Sequence, residues 1–106
     1  MTEYLQVLTT VEHKADAEKI ARILVEKRLA ACVQIVGPLT SYFQWQGKVD
    51  SAREYLCLIK SREELFAELE TEISHLHPYE VPEILAMPIT YGSKDYLNWL
   101  EAELVT

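Results

Sequence analysis

Residues 31–60, ACVQIVGPLTSYFQWQGKVDSAREYLCLIK, hold two long strand-like runs and one tight turn. Val, Ile and Tyr occur in both arms, with Thr, Phe and Trp added in the first, and these residues suit a pleated surface. The turn is WQGK, where Gly47 supplies the positive φ that a two-residue hairpin loop demands. Trp45 then faces Lys48, and Cys57 falls opposite about Val36. Gly37-Pro38 interrupts the first arm. Proline removes a ladder donor, so this arm reads as an edge strand with a bulge near 37–38. The regular part of the second arm is expected at about 52–60, with Leu56, Cys57, Leu58 and Ile59 suggesting burial on both faces. Strands of five or six residues are usual, so this hairpin is very long. Its outer part carries Tyr42, Phe43 and Trp45. A long apolar edge invites pairing with another chain, and its burial in an oligomer is the expectation.

The flanking sequence completes a topology. Residues 3–11 are rich in Leu, Val, Thr and Tyr and read as a buried strand. Residues 14–29 are helical, with Ala17, Ile20, Ala21, Leu24 and Arg28 at i, i+3, i+4, i+7 spacing. Arg28 lays its stem along the end of that stripe. Ser61-Arg62-Glu63-Glu64 has the form of a capping box opening a second helix, with Leu65, Leu69, Ile73 and Leu76 on one face. Residues 83–90 form a fourth strand, placed at an edge by Pro88. Gly92-Ser93 starts a last helix, with Tyr96, Leu97, Leu100 and Leu104 inward. The order β-α-β-β-α-β plus a terminal helix is an α+β, ferredoxin-like sandwich with an extended hairpin. Right-handed crossovers place the first and third strands centrally. With 106 residues and no linker-like tract, residues 1–106 read as one domain.

Seventeen acidic residues against ten basic give a net charge of −7. That argues against binding to nucleic-acid backbones or anionic membranes, which requires a basic face, and no nucleic acid or membrane partner is expected. MTEYLQVLTT has no basic region before an apolar stretch, and no window is apolar enough for a membrane helix. Cys32 and Cys57 lie in strand-like runs. They do not make a disulfide framework, since a bridge needs Cα atoms within about 7 Å. Buried thiols suit a cytoplasmic protein.

The stretch HLHPYEVPE (75–83) concentrates the chemistry. Pro78 bars the helix from continuing and pushes His77 to an extended conformation. His75 sits at the helix C-terminus, where imidazolium can cap carbonyls. Two readings stand: a rigid, interface-forming loop, or a divalent-cation site with His77, Glu80 and Glu83 as ligands. Nitrogen with carboxylate suits Zn or Cu(II), and no cofactor is required. Tyr42, Trp45, Lys60, Tyr79 and Glu80 are either packing residues or the lining of an intersubunit cleft. Lys60 either pairs with a glutamate or holds an anionic ligand. No phosphate-binding glycine loop, G-x-S-x-G, H-E-x-x-H or C-x-x-C occurs, and the expectation is a binding protein rather than an enzyme.

LAACV (29–33), SYFQWQGK (41–48), HPYEVPEI (77–84) and YLNWL (96–100) resemble the CutA family, the divalent-cation tolerance proteins. The resemblance spans essentially the whole chain. It implies a homotrimer in which long hairpins pair between subunits, and a role linked to copper and other divalent cations. Some members have copper ligands assigned at a first-strand cysteine and at consecutive histidines before the PY. Here those positions hold Thr9 and Leu76, and only His77 carries over. PII-type signalling trimers share the ferredoxin-like architecture. The alternative function is therefore a PII-like sensor of a small anionic ligand at the intersubunit cleft.

Overall fold

The structure is a computed structural model that describes residues 3–105. Its elements are β1 (Tyr4–Val11), α1 (Lys14–Glu26), β2 (Cys32–Trp45), β3 (Lys48–Arg62), a 3-10 turn (Glu63–Leu65), α2 (Phe66–Leu76), β4 (Leu85–Pro88) and α3 (Lys94–Glu103). The strands form one antiparallel sheet in the order β2-β3-β1-β4. The first and third strands are central, as the topology predicts, and the fold is the ferredoxin-like α+β sandwich.

One face of the sheet is covered. β1 turns Leu5, Val7, Thr9 and Val11 into the interior, and β3 adds Cys57, Ile59 and Ser61. The period of two follows from strand geometry. α1 contributes Ala17, Ile20 and Leu24, and α2 contributes Leu69 and Ile73, at the helical spacing read from the sequence. Leu100 and Leu104 close the same core. Tyr96, expected inward, is exposed and lies against Trp99.

On the opposite face, α3 reaches Arg62 through Glu101, while several large apolar side chains elsewhere on it are exposed. Register pairs place Leu8 between Leu58 and Leu85, Val36 opposite Leu56, and Met87 opposite Gln6. Residues directly opposite each other share a face. Val36, Leu85 and Met87 are among the exposed large apolar side chains.

The hairpin arms are longer than the expected core segment, since β3 runs from Lys48 to Arg62. Pairing shifts between Val36–Leu56 and Leu39–Glu54, so Gly37 and Pro38 together oppose Tyr55. This is the bulge the Gly-Pro pair predicts. Gly37 has φ +152°, and a Cβ there would stand 2.9 Å from the Glu54 carbonyl oxygen. At the tip, Gln46 (φ 50°) and Gly47 (φ 77°) both lie in the left-handed region, the requirement of a type I′ turn.

Several local expectations are corrected. Cys57 pairs with Ile35, one residue from the expected Val36. α1 stops at Glu26, because Arg28 takes φ +60° and the amides of Leu29 and Ala30 turn back to the Leu24 carbonyl. Arg28 extends no apolar stripe; its guanidinium bonds the carbonyls of Ala102 and Glu103 at the end of α3. Ser61 is no helix cap. β3 stays paired with β1 through Leu5–Ser61 and Tyr4–Arg62, so Ser61 is still strand, and its hydroxyl donates to the Leu29 carbonyl at 2.7 Å. Glu64 pairs with Arg62 instead. β4 is shorter than residues 83–90, since only Leu85–Pro88 reach the β1 ladder.

Candidate cleft at the base of the hairpin

The loop after α2 is positioned by His77. Its amide closes the last helical turn on the Ile73 carbonyl at 2.8 Å, and its backbone is extended (φ −78°, ψ 133°) before Pro78. The side chain is 7% exposed. Nδ1 accepts the Tyr79 amide at 3.1 Å. That donor is unambiguous, so the proton sits on Nε2, which donates to the Thr10 carbonyl at 2.8 Å. Burial lowers the His77 pKa, opposed by the Thr10 bond and by Asp16 and Glu54. Both ring nitrogens are engaged, so His77 offers no free lone pair to a cation in this arrangement.

Tyr79 extends the clamp. Its ring meets the His77 ring edge-on at 4.7 Å, and its hydroxyl donates to Glu54 Oε2 at 2.7 Å. Burial, then the Glu54 bond, raises the phenol pKa well above its ordinary value. The loop is thus tied to β1 through Thr10 and to β3 through Glu54.

Between this loop and the hairpin lies a cleft of about 850 Å³. Of the residues expected at a cleft or cation site, Tyr42, Trp45, Tyr79, Glu80 and Glu83 line it. Lys60 does not. It stands opposite Gln6 and Cys32, six residues along β3 from Glu54 and hence about 20 Å away. Its ammonium donates to Gln34 Oε1 at 2.9 Å rather than pairing with a glutamate. Within one chain Lys60 and Tyr79 are therefore not brought together: strand alternation puts Lys60 on the same face as Glu54, the partner of Tyr79, but six residues away along β3.

Three acidic lining residues were not singled out from sequence: Glu12, Asp50 and Glu54. Glu54 carried a signal. It alternates with Leu56 and Leu58 on a largely buried strand, where a carboxylate needs a partner. With Glu80 and Glu83, five carboxylates border the cleft, and none of its lining residues among those described is lysine or arginine. No three His, Cys, Asp or Glu side chains among the described residues converge on one coordination point. The lining therefore does not fit a tight metal centre within one chain. The Cys57 thiol is buried and pushed up to about 11. Cys32 and Cys57 are both free. Among the described residues no helix is long and apolar enough to cross a membrane.

The sequence matches the family described as CutA1 divalent ion tolerance protein over residues 5–103. It is 50% identical over 94 residues to the divalent-cation tolerance protein CutA of Thermus thermophilus, covering 89% of this chain and 91% of that protein. It is 43% identical over 95 residues to the chloroplastic protein CutA of Arabidopsis thaliana, covering 90% of this chain and 52% of that protein. A solved Thermus thermophilus divalent cation tolerance protein superposes with a TM-score of 0.93 at 46% identity, over 96% of this chain and 99% of that one. With the hairpin, the bulge and the HPYEVPE loop in place, these likenesses settle the family: the chain belongs to the CutA1 divalent ion tolerance proteins.

Proposed function

We propose that the protein acts as a cytoplasmic, non-enzymatic homotrimer that contributes to divalent-cation tolerance by loose, carboxylate-based cation binding. The observation that carries this reading is the uncovered apolar sheet face, with Val36, Leu85 and Met87 exposed beside partly buried Leu8, Leu56 and Leu58. Exposed apolar area of this kind is stabilised by burial against another subunit. Phe43 and Trp45, 39% and 60% exposed, continue the same face along the hairpin. Packing three copies across these surfaces turns the cleft into an intersubunit one.

Glu80 and Glu83 then offer oxygen donors to a cation as cargo. The His77 ring takes part only by releasing the Tyr79 amide, which disfavours imidazole-bound copper and favours carboxylate-bound divalent ions. Binding rather than catalysis fits the groups present. The Cys57 thiol is held protonated by burial, and both His77 nitrogens are committed. For the PII-like alternative, Lys60 would meet an anion beside Gln34 and not in the aromatic cleft.

Two measurements test the proposal. Sedimentation equilibrium of the wild type should give three times the chain mass; a chain mass at micromolar concentration sinks the trimer. Calorimetric titration with Zn(II) and Cu(II) should show binding that weakens in Glu80→Gln/Glu83→Gln and persists in His77→Ala. Loss confined to His77→Ala makes the imidazole the ligand. No heat in any form removes direct cation handling.

A further inference from the structure

One strip of the open sheet face carries two charges that its own chain does not neutralise. Along β3 the side chains on this face run Glu54, Leu56, Leu58, Lys60, with Val36 and Gln34 of β2 and Leu8 of β1 beside the two leucines. Glu54 is 7% exposed, and Lys60 is partly buried. No ion pair among the described residues includes either one. Glu54 accepts from the neutral Tyr79 hydroxyl, and Lys60 donates to the neutral Gln34 amide oxygen. The two cannot meet within one chain, since six residues of strand hold them about 20 Å apart. Burying a charge without an opposite charge is costly. The trimer proposed above buries both, because they bracket Leu56 and Leu58 on the assembling face.

We propose that Lys60 of one copy pairs with Glu54 of the next, so that each interface of the assembly holds this ion pair. The inference rests on the trimer reading and names the contact that sets its register. The strip has a negative end, an apolar middle and a positive end, so its two ends are complementary to each other. A head-to-tail contact of this kind closes into a ring when each copy offers one end to each neighbour. The other basic groups nearby are less suited. Arg53 lies on the other face of the hairpin, opposite Thr40. Arg62 is committed to Glu64 and Glu101. Lys48 stands at the exposed turn, where water screens an ion pair. Lys60 sits among apolar side chains, and its ammonium keeps two protons after Gln34 takes one. The pairing also brings a basic group to a cleft whose lining has none among the described residues. A desolvated pair between copies fixes register and disfavours wrong partners.

The test is a double-mutant cycle on the assembly of the full-length chain. Sedimentation equilibrium, in the urea range where the wild type dissociates, compares wild type, Glu54→Gln, Lys60→Met and the double variant. Each single change should weaken association about tenfold or more, and the double variant should be no weaker than the worse single. The charge-swapped Glu54→Lys/Lys60→Glu should assemble where Lys60→Glu alone stays dissociated. Additive losses in a trimeric wild type, or a swap no better than the single reversal, overturn the pairing and leave the trimer standing. A monomeric wild type overturns both. Coupling of Glu54 to Lys48 in place of Lys60 overturns the pairing too, since the partner is then the turn lysine. Should the Glu54 variants fail to fold, carbodiimide coupling of the wild type decides. A linked Lys60–Glu54 peptide in covalently joined copies supports the pair, and its absence there overturns it.

Discussion

The helix-covered half of the sheet and the projecting hairpin are built from similar residues with opposite outcomes. In the covered half, Ile20, Leu24, Ile59, Leu69 and Ile73 are fully buried. Beyond the bulge, every residue from Tyr42 to Asp50 is exposed, although Tyr42, Phe43, Trp45 and Val49 are as apolar as the core. Both regions are regular strand. In the hairpin, regularity comes from cross-strand pairing and the type I′ turn. In the covered half it also comes from burial. Strand propensity thus reports fitness for a pleated surface and says nothing of what covers it. Covering must come from helices at one end and, on the proposed assembly, from other copies at the other.

The comparison breaks first in the core. Ile73→Ala removes a fully buried side chain from α2 and should cost about 4 kcal/mol. Denaturant unfolding should show that loss at every protein concentration. A cost below about 1 kcal/mol would mean that the helix layer contributes little.

Trp45→Ala probes the other region. In an isolated chain this half-exposed side chain should matter little. In the proposed trimer its loss should cost about 3 kcal/mol per chain, as for a large buried aromatic. The expected result is a lower melting temperature together with a concentration-dependent mass by ultracentrifugation, since assembly and folding are linked. Unchanged mass and melting remove Trp45 from any interface and leave the hairpin as a free ribbon.

The same contrast sets what the sequence could tell. Element order, the Gly37-Pro38 bulge, the Trp45–Lys48 turn and central β1 and β3 were legible, because alternation, proline chemistry and crossover handedness are local or topological rules. The end of α1 was not. Arg28 carries no mark of a left-handed residue, and its stabilisation comes from carbonyls more than seventy positions away. The capping pattern at Ser61 was real as a pattern, but pairing with β1 overrode it. At the cleft, Tyr79, Glu80 and Glu83 could be read from the HPYEVPE stretch. Glu54 and the misplacement of Lys60 required register, which a two-residue alternation fixes only as to face and not as to distance along the strand.

His77 joins the two regions, and its titration sharpens how. The folded protein holds its pKa below the ordinary value, chiefly through burial. As pH falls, the unfolded chain binds the proton first. The contribution of this group to stability is complete above about 6.5, declines below that, and stops declining once pH passes the folded value. The slope from one such group is at most about 1.4 kcal/mol per pH unit. Protonation also sets Nδ1–H against the Tyr79 amide, so the Tyr79–Glu54 bond should loosen with it. Urea unfolding between pH 8 and 5 should show this dependence in wild type and less of it in His77→Gln. Identical profiles would assign the acid sensitivity to other groups.

The smallest expected effect lies at the rim of the covered half, in the paired variants Arg28→Ala and Arg28→Gly. Arg28 sits at φ +60°, where a residue with a Cβ loses about 1 kcal/mol relative to glycine. Its guanidinium recovers a similar amount by bonding the last carbonyls of α3, about 1 kcal/mol net for a half-exposed charged donor. Arg28→Ala keeps the strain and loses the bonds, so it should destabilise by about 1 kcal/mol. Arg28→Gly loses the bonds and the strain together, and should fall within about 0.5 kcal/mol of wild type. Equal losses in the two variants would show that the left-handed backbone costs nothing here. The α3 clamp would then be the whole contribution of this residue.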